Sequence, residues 1–418
     1  MFAQGVRCVS AASGANGARR ACSNIGRRTQ GPVGIITLDR PAKLNALTLQ
    51  MIRDLHRIYD EWLAEGSPIK CIVMEGAGGK AFCAGGDVVA VQEAALAGKS
   101  LPYDFFYEEY QLNHRIATMW EKKRVPHIAL WDGITMGGGV GLSAHGKFRI
   151  ATERTLWAKP ETAIGLFPDV GSTHLLSRIK GGLPMGLYIG LTGVRLRAAD
   201  LMRTGLATHY VPSSNLPQLV PALEALGEEA GDESSVAAAI AGIGESGSPD
   251  ARYIPSQDQK VNLQASAAVL RHEHALVARV CFSAGTAEEL FHRLEEEASS
   301  HGGKSDAARF ARRTLETLQR MSPTAIKVTM EACRRHAAAD CTIGDALRTE
   351  YRLSQRATLQ QQPLSDFHEG VRAVLIDKDP SSAVWDPPSL RQVSSAAVET
   401  YFAPLGPDHP RGELVLAD

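Results

Sequence analysis

Two glycine-rich turns carry the first indication of chemistry: Ala81-Phe82-Cys83-Ala84-Gly85-Gly86-Asp87 and Gly133-Ile134-Thr135-Met136-Gly137-Gly138-Gly139-Val140-Gly141. Glycine permits positive φ and lets a ligand approach the backbone closely. Each turn follows a segment that reads as a strand, so turns on neighbouring parallel strands can aim two backbone N–H groups at one point. The second turn also opens a helix, whose N-terminus favours negative charge. Donors placed in this way stabilise a carbonyl oxygen as it becomes an oxyanion. Either turn alone has a plainer reading, because glycine is common in turns. A dinucleotide fingerprint is a second rival, since Gly139-Val140-Gly141-Leu142-Ser143-Ala144 fits GxGxxA. Context argues against it: at least two strands come first, and the acid at the right distance, Glu161, follows Lys159-Pro160 in a loop.

Glu161 and Asp169 are separated by a loop containing Gly165 and Pro168, so both can face one pocket. A carboxylate pair in a water-poor pocket splits its pKa values, leaving one acid and one base. Taken singly, each acid again has a simpler reading. Glu161 could start a helix after Pro160, Asp169 could cap a helix starting near Ser172, and Glu109 could be a solvated helix charge. His272-Glu273-His274 has the wrong spacing for HExxH zinc binding, and the scattered cysteines form no CxxC pair.

The elements that must hold these residues alternate between strand and helix. Val33–Leu38 reads as a strand, Asn45 as the cap of a helix running to about Gly66, and Lys70–Glu75 as a second strand. A helix follows over 103–120, then strands at His127–Trp131 and Phe148–Thr152. This alternation predicts a mostly parallel sheet in an α/β layer fold with right-handed crossovers. From about Pro184 the pattern turns helical, with helices expected over 286–299, 305–320, 323–337 and 342–358. Residues 226–258 read as a loosely packed connection.

Composition sets the outer bounds. The 418 residues are 44% hydrophobic and 22% charged with formal net charge −1, which offers no electrostatic case for DNA. There is no apolar run long enough for a membrane helix. Seven cysteines, an odd number, fit a reducing compartment better than a disulfide framework. Residues 1–38 contain no Asp or Glu but carry Arg7, Arg19, Arg20, Arg27 and Arg28, the basic, acid-poor composition of a mitochondrial transit peptide.

The two turns, in this order, resemble those of the crotonase (enoyl-CoA hydratase/isomerase) superfamily of acyl-CoA enzymes. So does Leu38-Asp39-Arg40-Pro41-Ala42-Lys43-Leu44-Asn45-Ala46-Leu47. The resemblance implies an oxyanion hole at the amides of Gly86 and Gly138. It implies contact with the adenine end of CoA near Lys43 and Leu44, and substrate contact at Asp87, Gly138, Glu161 and Asp169. Enoyl-CoA hydratases of this superfamily use two glutamates, one of them three residues after the oxyanion glycine, where this chain has Gly141. The second matches Glu161.

The run from Pro160 to Gly171, the motif Glu108-Glu109-Tyr110 with Leu112-Asn113, and the stretches Glu350–Gln355 and Asp366–Asp379 resemble the 3-hydroxyisobutyryl-CoA hydrolase branch. That resemblance implies thioester hydrolysis in valine catabolism, in the mitochondrial matrix. Glu161 would attack the carbonyl or activate water, Asp169 would manage the proton, and Glu109 would bond the 3-hydroxyl of the acyl group. CoA would be part of the substrate and a product, with no cofactor and no metal. The expected organisation is a transit peptide over 1–30, a crotonase-like ββα-superhelix core over 31–213, a mainly helical part over 214–395 and a tail over 396–418. Partners follow the same reading: an acyl-CoA, no DNA and no membrane, with homo-oligomerisation left open. Two alternatives remain, a hydratase or isomerase of another acyl-CoA, and a structural component of the mitochondrial small ribosomal subunit derived from the hydrolase.

Overall fold

A computed structural model of the chain describes residues 24–244, 270, 272–360 and 365–417. The leader expected before Asn24 and most of the later half of the 226–258 stretch lie outside the described residues. Among those described, no helix is long and apolar enough to cross a membrane.

The architecture is α/β. Strands β1 (Ile25–Gln30), β2 (Val33–Leu38), β3 (Cys71–Gly76), β5 (His127–Trp131), β7 (Phe148–Ala151) and β9 (His209–Tyr210) form one sheet in the order β1-β2-β3-β5-β7-β9. All its pairings are parallel except β1 with β2, which are antiparallel. A second, smaller parallel sheet has the order β4-β6-β8, built from Ala81–Cys83, Ile134–Met136 and Leu156–Ala158. The chain therefore lays one strand in the large sheet and the next in the small one, and repeats this three times. Strands of three residues are too short to show a period-2 pattern, so the second sheet is absent from the sequence reading.

The large sheet is buried on both faces, as a parallel sheet must be. Ile36, Ile72, Met74, Ala129 and Trp131 face α1 (Leu49–Trp62) and α3 (Leu101–Lys123), whose Met51, Leu55, Tyr59, Leu112 and Ile116 join the same core. Val33, Ile35, Val73, Ile128 and Ile150 point the other way, onto Leu219, Leu223, Val236 and Ile240. The helix α2 (Val88–Leu96), between α1 and α3 in chain order, packs on α3.

Three expectations are corrected. The fold starts before Val33: β1 pairs with β2 along its full length, including Arg27 and Arg28. An edge strand needs only one buried face, so its arginines stay in water and resemble a leader by composition alone. Thr48, not Asn45, caps α1, accepting from Met51 N at 3.2 Å. Asn45 has a positive φ of 58° and donates to the carbonyls of Ala77 and Ala81, pinning the loop ahead of β4. The connection after residue 226 is better packed than its composition suggests, because the helix Glu233–Ile243 buries Val236, Ile240 and Ile243 against the sheet.

Downstream, helices Ala287–Ser299, Asp306–Leu318, Pro323–His336 and Ile343–Leu359 match the expected positions closely. Each has a Ser or Thr cap accepting from the N3 amide, which is why their starts were readable.

Candidate active site

All three strands of the small sheet end at one place. Gly85-Gly86 follows β4, Gly137-Gly138 follows β6, and Lys159-Pro160-Glu161 follows β8. Ligand crevices in parallel α/β structures lie beyond the carboxyl ends of the strands for the same topological reason. Gly85 and Gly137 hold φ values of 114° and 50°, which side-chain-bearing residues adopt only with strain. The two turns touch: a Cβ built on Gly138 would lie 3.4 Å from Gly86 N. Among the described residues, neither the Gly86 nor the Gly138 amide donates a hydrogen bond to the protein. Trp131 Nε1 bonds Ser143 Oγ at 2.8 Å, and that hydroxyl bonds the Gly139 carbonyl at 2.6 Å, fixing the short helix α4 (Gly138–Gly141) that opens on the site.

Three carboxylates gather here, all buried: Glu109 on α3, Glu161 in the 3-10 turn Glu161–Ile164, and Asp169. Glu109 Oε1 presses on Gly138, only 2.4 Å from where its Cβ would stand. Glu161 Oε1 would lie 3.5 Å from a Cβ on Gly137. Among the described residues, both carboxylate oxygens of Glu161 and Oε1 of Glu109 are buried without a hydrogen-bond partner, and so are both amide atoms of Asn113, one helical turn beyond Glu109. Buried polar atoms are rarely left unpaired, and their clustering marks a place for a polar ligand. Asp169, by contrast, is held. Tyr110 donates to its Oδ2 at 3.0 Å and Lys159 Nζ lies 3.3 Å from its Oδ1. Lys159 also lies 2.8 Å from Glu161 Oε1.

Burial pushes the Glu161 carboxyl up to about 7, opposed by the Lys159 charge and assisted by Asp169. Burial, then Asp169, drive Glu109 well above the ordinary carboxylate range, with Lys159 opposing. The site thus buries carboxyl groups with separated proton affinities, the condition for acid and base to coexist at neutral pH.

The backbone behind Asp169 is tight. Val170, a β-branched residue, has φ 58°, a conformation that persists only where its surroundings enforce it. The enforcement is visible: His145 Nε2 donates to the Val170 carbonyl at 2.7 Å, while Glu350 accepts from Gly171 N at 2.6 Å and Thr173 N at 3.1 Å. The Thr173 hydroxyl bridges Glu350 and His336. Glu350 sits on the Ile343–Leu359 helix, so the C-terminal part clamps the loop that carries Asp169. The Asp366 motif does the same beneath Glu161. A Cβ on Gly165 would meet the Asp366 carbonyl carbon at 2.2 Å, and one on Gly370 would meet Ile164 backbone at 2.4 Å. His368 belongs to this packing, its carbonyl accepting from Gln92 Nε2 at 2.6 Å.

The structure brings Gly86, Gly138, Glu109, Glu161 and Asp169 together. It does not bring the other expected contacts to the carboxylates. Lys43 is exposed on the turn Pro41–Lys43. Leu44 accepts from Ala84 N at 3.0 Å and so borders the first glycine turn. Asp87 is engaged within the fold, paired with Arg40 at 2.9 Å and capping α2 through Ala90 N. Asp169 does not cap the helix Ser172–Leu176, where Gly171 occupies the cap position. Sequence reasoning missed Lys159, Tyr110 and the Glu350 clamp. Lys159 and Tyr110 stood beside recognised acids, but nothing local marks a residue as facing another element.

Comparison with known proteins follows the geometry. The sequence profile described as enoyl-CoA hydratase/isomerase matches residues 33–402. The mitochondrial 3-hydroxyisobutyryl-CoA hydrolase of Rattus norvegicus is 42% identical over 377 residues, covering 90% of this chain and 88% of that protein. The Homo sapiens hydrolase of the same name is 40% identical over the same coverage. Among solved structures, a carnitinyl-CoA dehydratase from Mycobacterium thermoresistibile superposes with TM-score 0.73 at 32% identity, covering 94% of this chain and 98% of that one. An enoyl-CoA hydratase from Rhodobacter sphaeroides does so with TM-score 0.73 at 34% identity, covering 94% and 100%.

Proposed function

Since the chain belongs to the enoyl-CoA hydratase/isomerase family, we propose that it hydrolyses a short acyl-CoA thioester, 3-hydroxyisobutyryl-CoA, to 3-hydroxyisobutyrate and CoA. The relatives that share about two fifths of its residues carry that activity in their names. The observation that carries the choice of hydrolysis over hydration is the packing at Gly141. A Cβ there would meet Val170 Cβ at 2.5 Å and Asn113 Nδ2 at 2.8 Å. The second acid that hydration requires has no room, whatever its charge. Two solved relatives are a dehydratase and a hydratase, which keeps hydration as the competing reading.

In the proposed reaction the thioester oxygen sits between the Gly86 and Gly138 amides, which take up its developing charge. Glu161, ionised, either adds to the carbonyl carbon or removes a proton from an adding water. The tetrahedral species collapses with cleavage of the C–S bond, and CoA thiolate leaves. In the first route water then hydrolyses the acyl–Glu161 anhydride. Asp169, fixed by Tyr110, relays the water's proton. Glu109, held in its neutral form, donates to the 3-hydroxyl of the substrate, so an analogue lacking that hydroxyl leaves it unpaired. No cofactor or metal has a part, and CoA is released as product. The proposed location is the mitochondrial matrix, after removal of the basic leader.

Thiol release from purified protein with 3-hydroxyisobutyryl-CoA, beside the loss of enoyl absorbance with a 2-enoyl-CoA, tests the proposal. Thiol release without hydration is expected. Hydration without thiol release overturns it, and silence in both assays favours the ribosomal alternative. A single turnover in H₂¹⁸O distinguishes the two routes, since only the anhydride route can place ¹⁸O in Glu161.

A further inference from the structure

Lys159 is fully buried at the end of β8. Its ammonium donates to Asp169 Oδ1 at 3.3 Å and to the Asp169 carbonyl at 3.2 Å, and forms an ion pair with Glu161 Oε1 at 2.8 Å. Removing an ammonium from water costs several kcal/mol even after relaxation, and an apolar side chain of equal length would fill the space without that cost. The geometry therefore concerns the carboxylates, not packing. We propose that Lys159 is the positioning and charge-balancing residue of the Glu161–Asp169 pair, holding both carboxylates in register. The inference rests on the hydrolase reading for the reaction it serves.

The groups that face this ammonium come from every element around it. Glu161 and Asp169 touch it. Glu109 approaches from α3, Glu350 from the Ile343–Leu359 helix, and His145 from the turn after α4, while Tyr110 holds the far oxygen of Asp169. Burial works to lower the Lys159 ammonium, but Glu161 and Asp169 outweigh it and hold it charged. His145 is pushed down to about 4 by burial and stays neutral, so Lys159 is the cation of the cluster. A cation between two buried carboxylates offsets the repulsion of their like charges. The ion pair is made at Glu161 Oε1, and among the described residues Oε2 has no hydrogen-bond partner, which leaves it for substrate or water. By bonding the Asp169 carbonyl, the same ammonium braces the left-handed corner at Val170.

The test is Lys159→Met, unbranched, one atom shorter and uncharged. An opposite charge at this distance typically displaces a carboxyl pKa by about 1–3 units. The acid limb of kcat/KM for thiol release should move up by that amount, lowering the rate at pH 7 about 5- to 500-fold, with recovery at higher pH. Affinity for the acyl-CoA should change little. A variant that loses activity equally at all pH values, or keeps the native limb, overturns the proposal. A second readout needs no turnover: ¹³C-carboxyl NMR of Glu-labelled protein, with the Glu161 signal assigned by Glu161→Gln. That signal should titrate at higher pH in Lys159→Met than in native protein, and an unmoved titration overturns the inference. Were the variant unable to fold, native protein labelled at lysine Nζ decides. The Lys159 ammonium should keep its proton through pH 9, and loss of it below that pH refutes the assignment. If native protein releases no thiol from any acyl-CoA, the hydrolase reading falls while the titrations still judge Lys159.

Discussion

Gly141→Ala is expected to be costly although it adds one methyl group. The new Cβ would stand 2.5 Å from Val170 Cβ, 2.8 Å from Asn113 Nδ2 and 2.9 Å from Val170 Cγ2. Carbon atoms rest near 3.5–4.0 Å, so the overlap with Val170 is about 1 Å. Val170 cannot rotate away freely, because its backbone is left-handed and tied by His145 on one side and by Glu350, through Gly171, on the other. Overpacking of this kind costs about 1–3 kcal/mol. At about 2–4 °C per kcal/mol for a domain of 150–250 residues, and less for a larger one, the melting temperature falls by several degrees. The functional effect should exceed the stability effect. Val170 adjoins Asp169, and a displacement near 1 Å at a catalytic group can cost about 100-fold in rate. The assay is a double-mutant cycle of Gly141→Ala and Val170→Gly, read by thermal melting and thiol release. Because the closest collision is with Val170 Cβ, removing that side chain should return part of both losses, giving clear non-additivity. Gly141→Glu should gain no hydratase activity. Native melting and native thiol release in Gly141→Ala, or strictly additive effects in the cycle, would refute this account of the packing.

Glu161→Gln keeps the shape of the side chain but neither attacks nor accepts a proton. Thiol release should fall by about 10²–10⁴, the usual worth of such a group, while calorimetric affinity for the acyl-CoA stays within a few-fold. Because Glu161 must be ionised to act and lies at about 7, kcat/KM should rise with pH up to that region and level off above it, falling about tenfold per unit below. A flat profile between pH 5 and 8 would exclude Glu161 as the acting base or nucleophile. Glu109 is raised well above the ordinary range, so it enters the reaction neutral. Glu109→Gln should then retain more activity than Glu109→Ala, and Ala should lose discrimination between a 3-hydroxyacyl-CoA and its deoxy analogue, measured as a ratio of kcat/KM values. N-terminal sequencing of mitochondrial protein should place the mature start before Ile25, since β1 completes the sheet. A start after Gln30 with a native melting temperature would contradict this.

What the sequence determined by itself was whatever has a local cause. The strands at Val33–Leu38 and His127–Trp131 were readable because continuous β-branched and aromatic runs bounded by glycine and proline mark buried strands. The four C-terminal helices were readable from their caps and 3.6-residue periodicity. Gly86, Gly138, Glu161 and Asp169 were nominated through spacing and resemblance, which register chemistry without placing it. Tertiary structure alone decided the rest, because the remaining features depend on contacts between residues far apart in the chain. The small sheet has strands too short to carry a period and exists only through its pairings. Glu350 reaches Gly171 and Thr173 across nearly half the chain. Whether Asp87 turns to substrate or to Arg40, and whether a lysine beside a proline is a solvated charge or the buried partner of two carboxylates, are matters of orientation and burial. A sequence states the order of side chains, and only packing fixes which of them share a space without water.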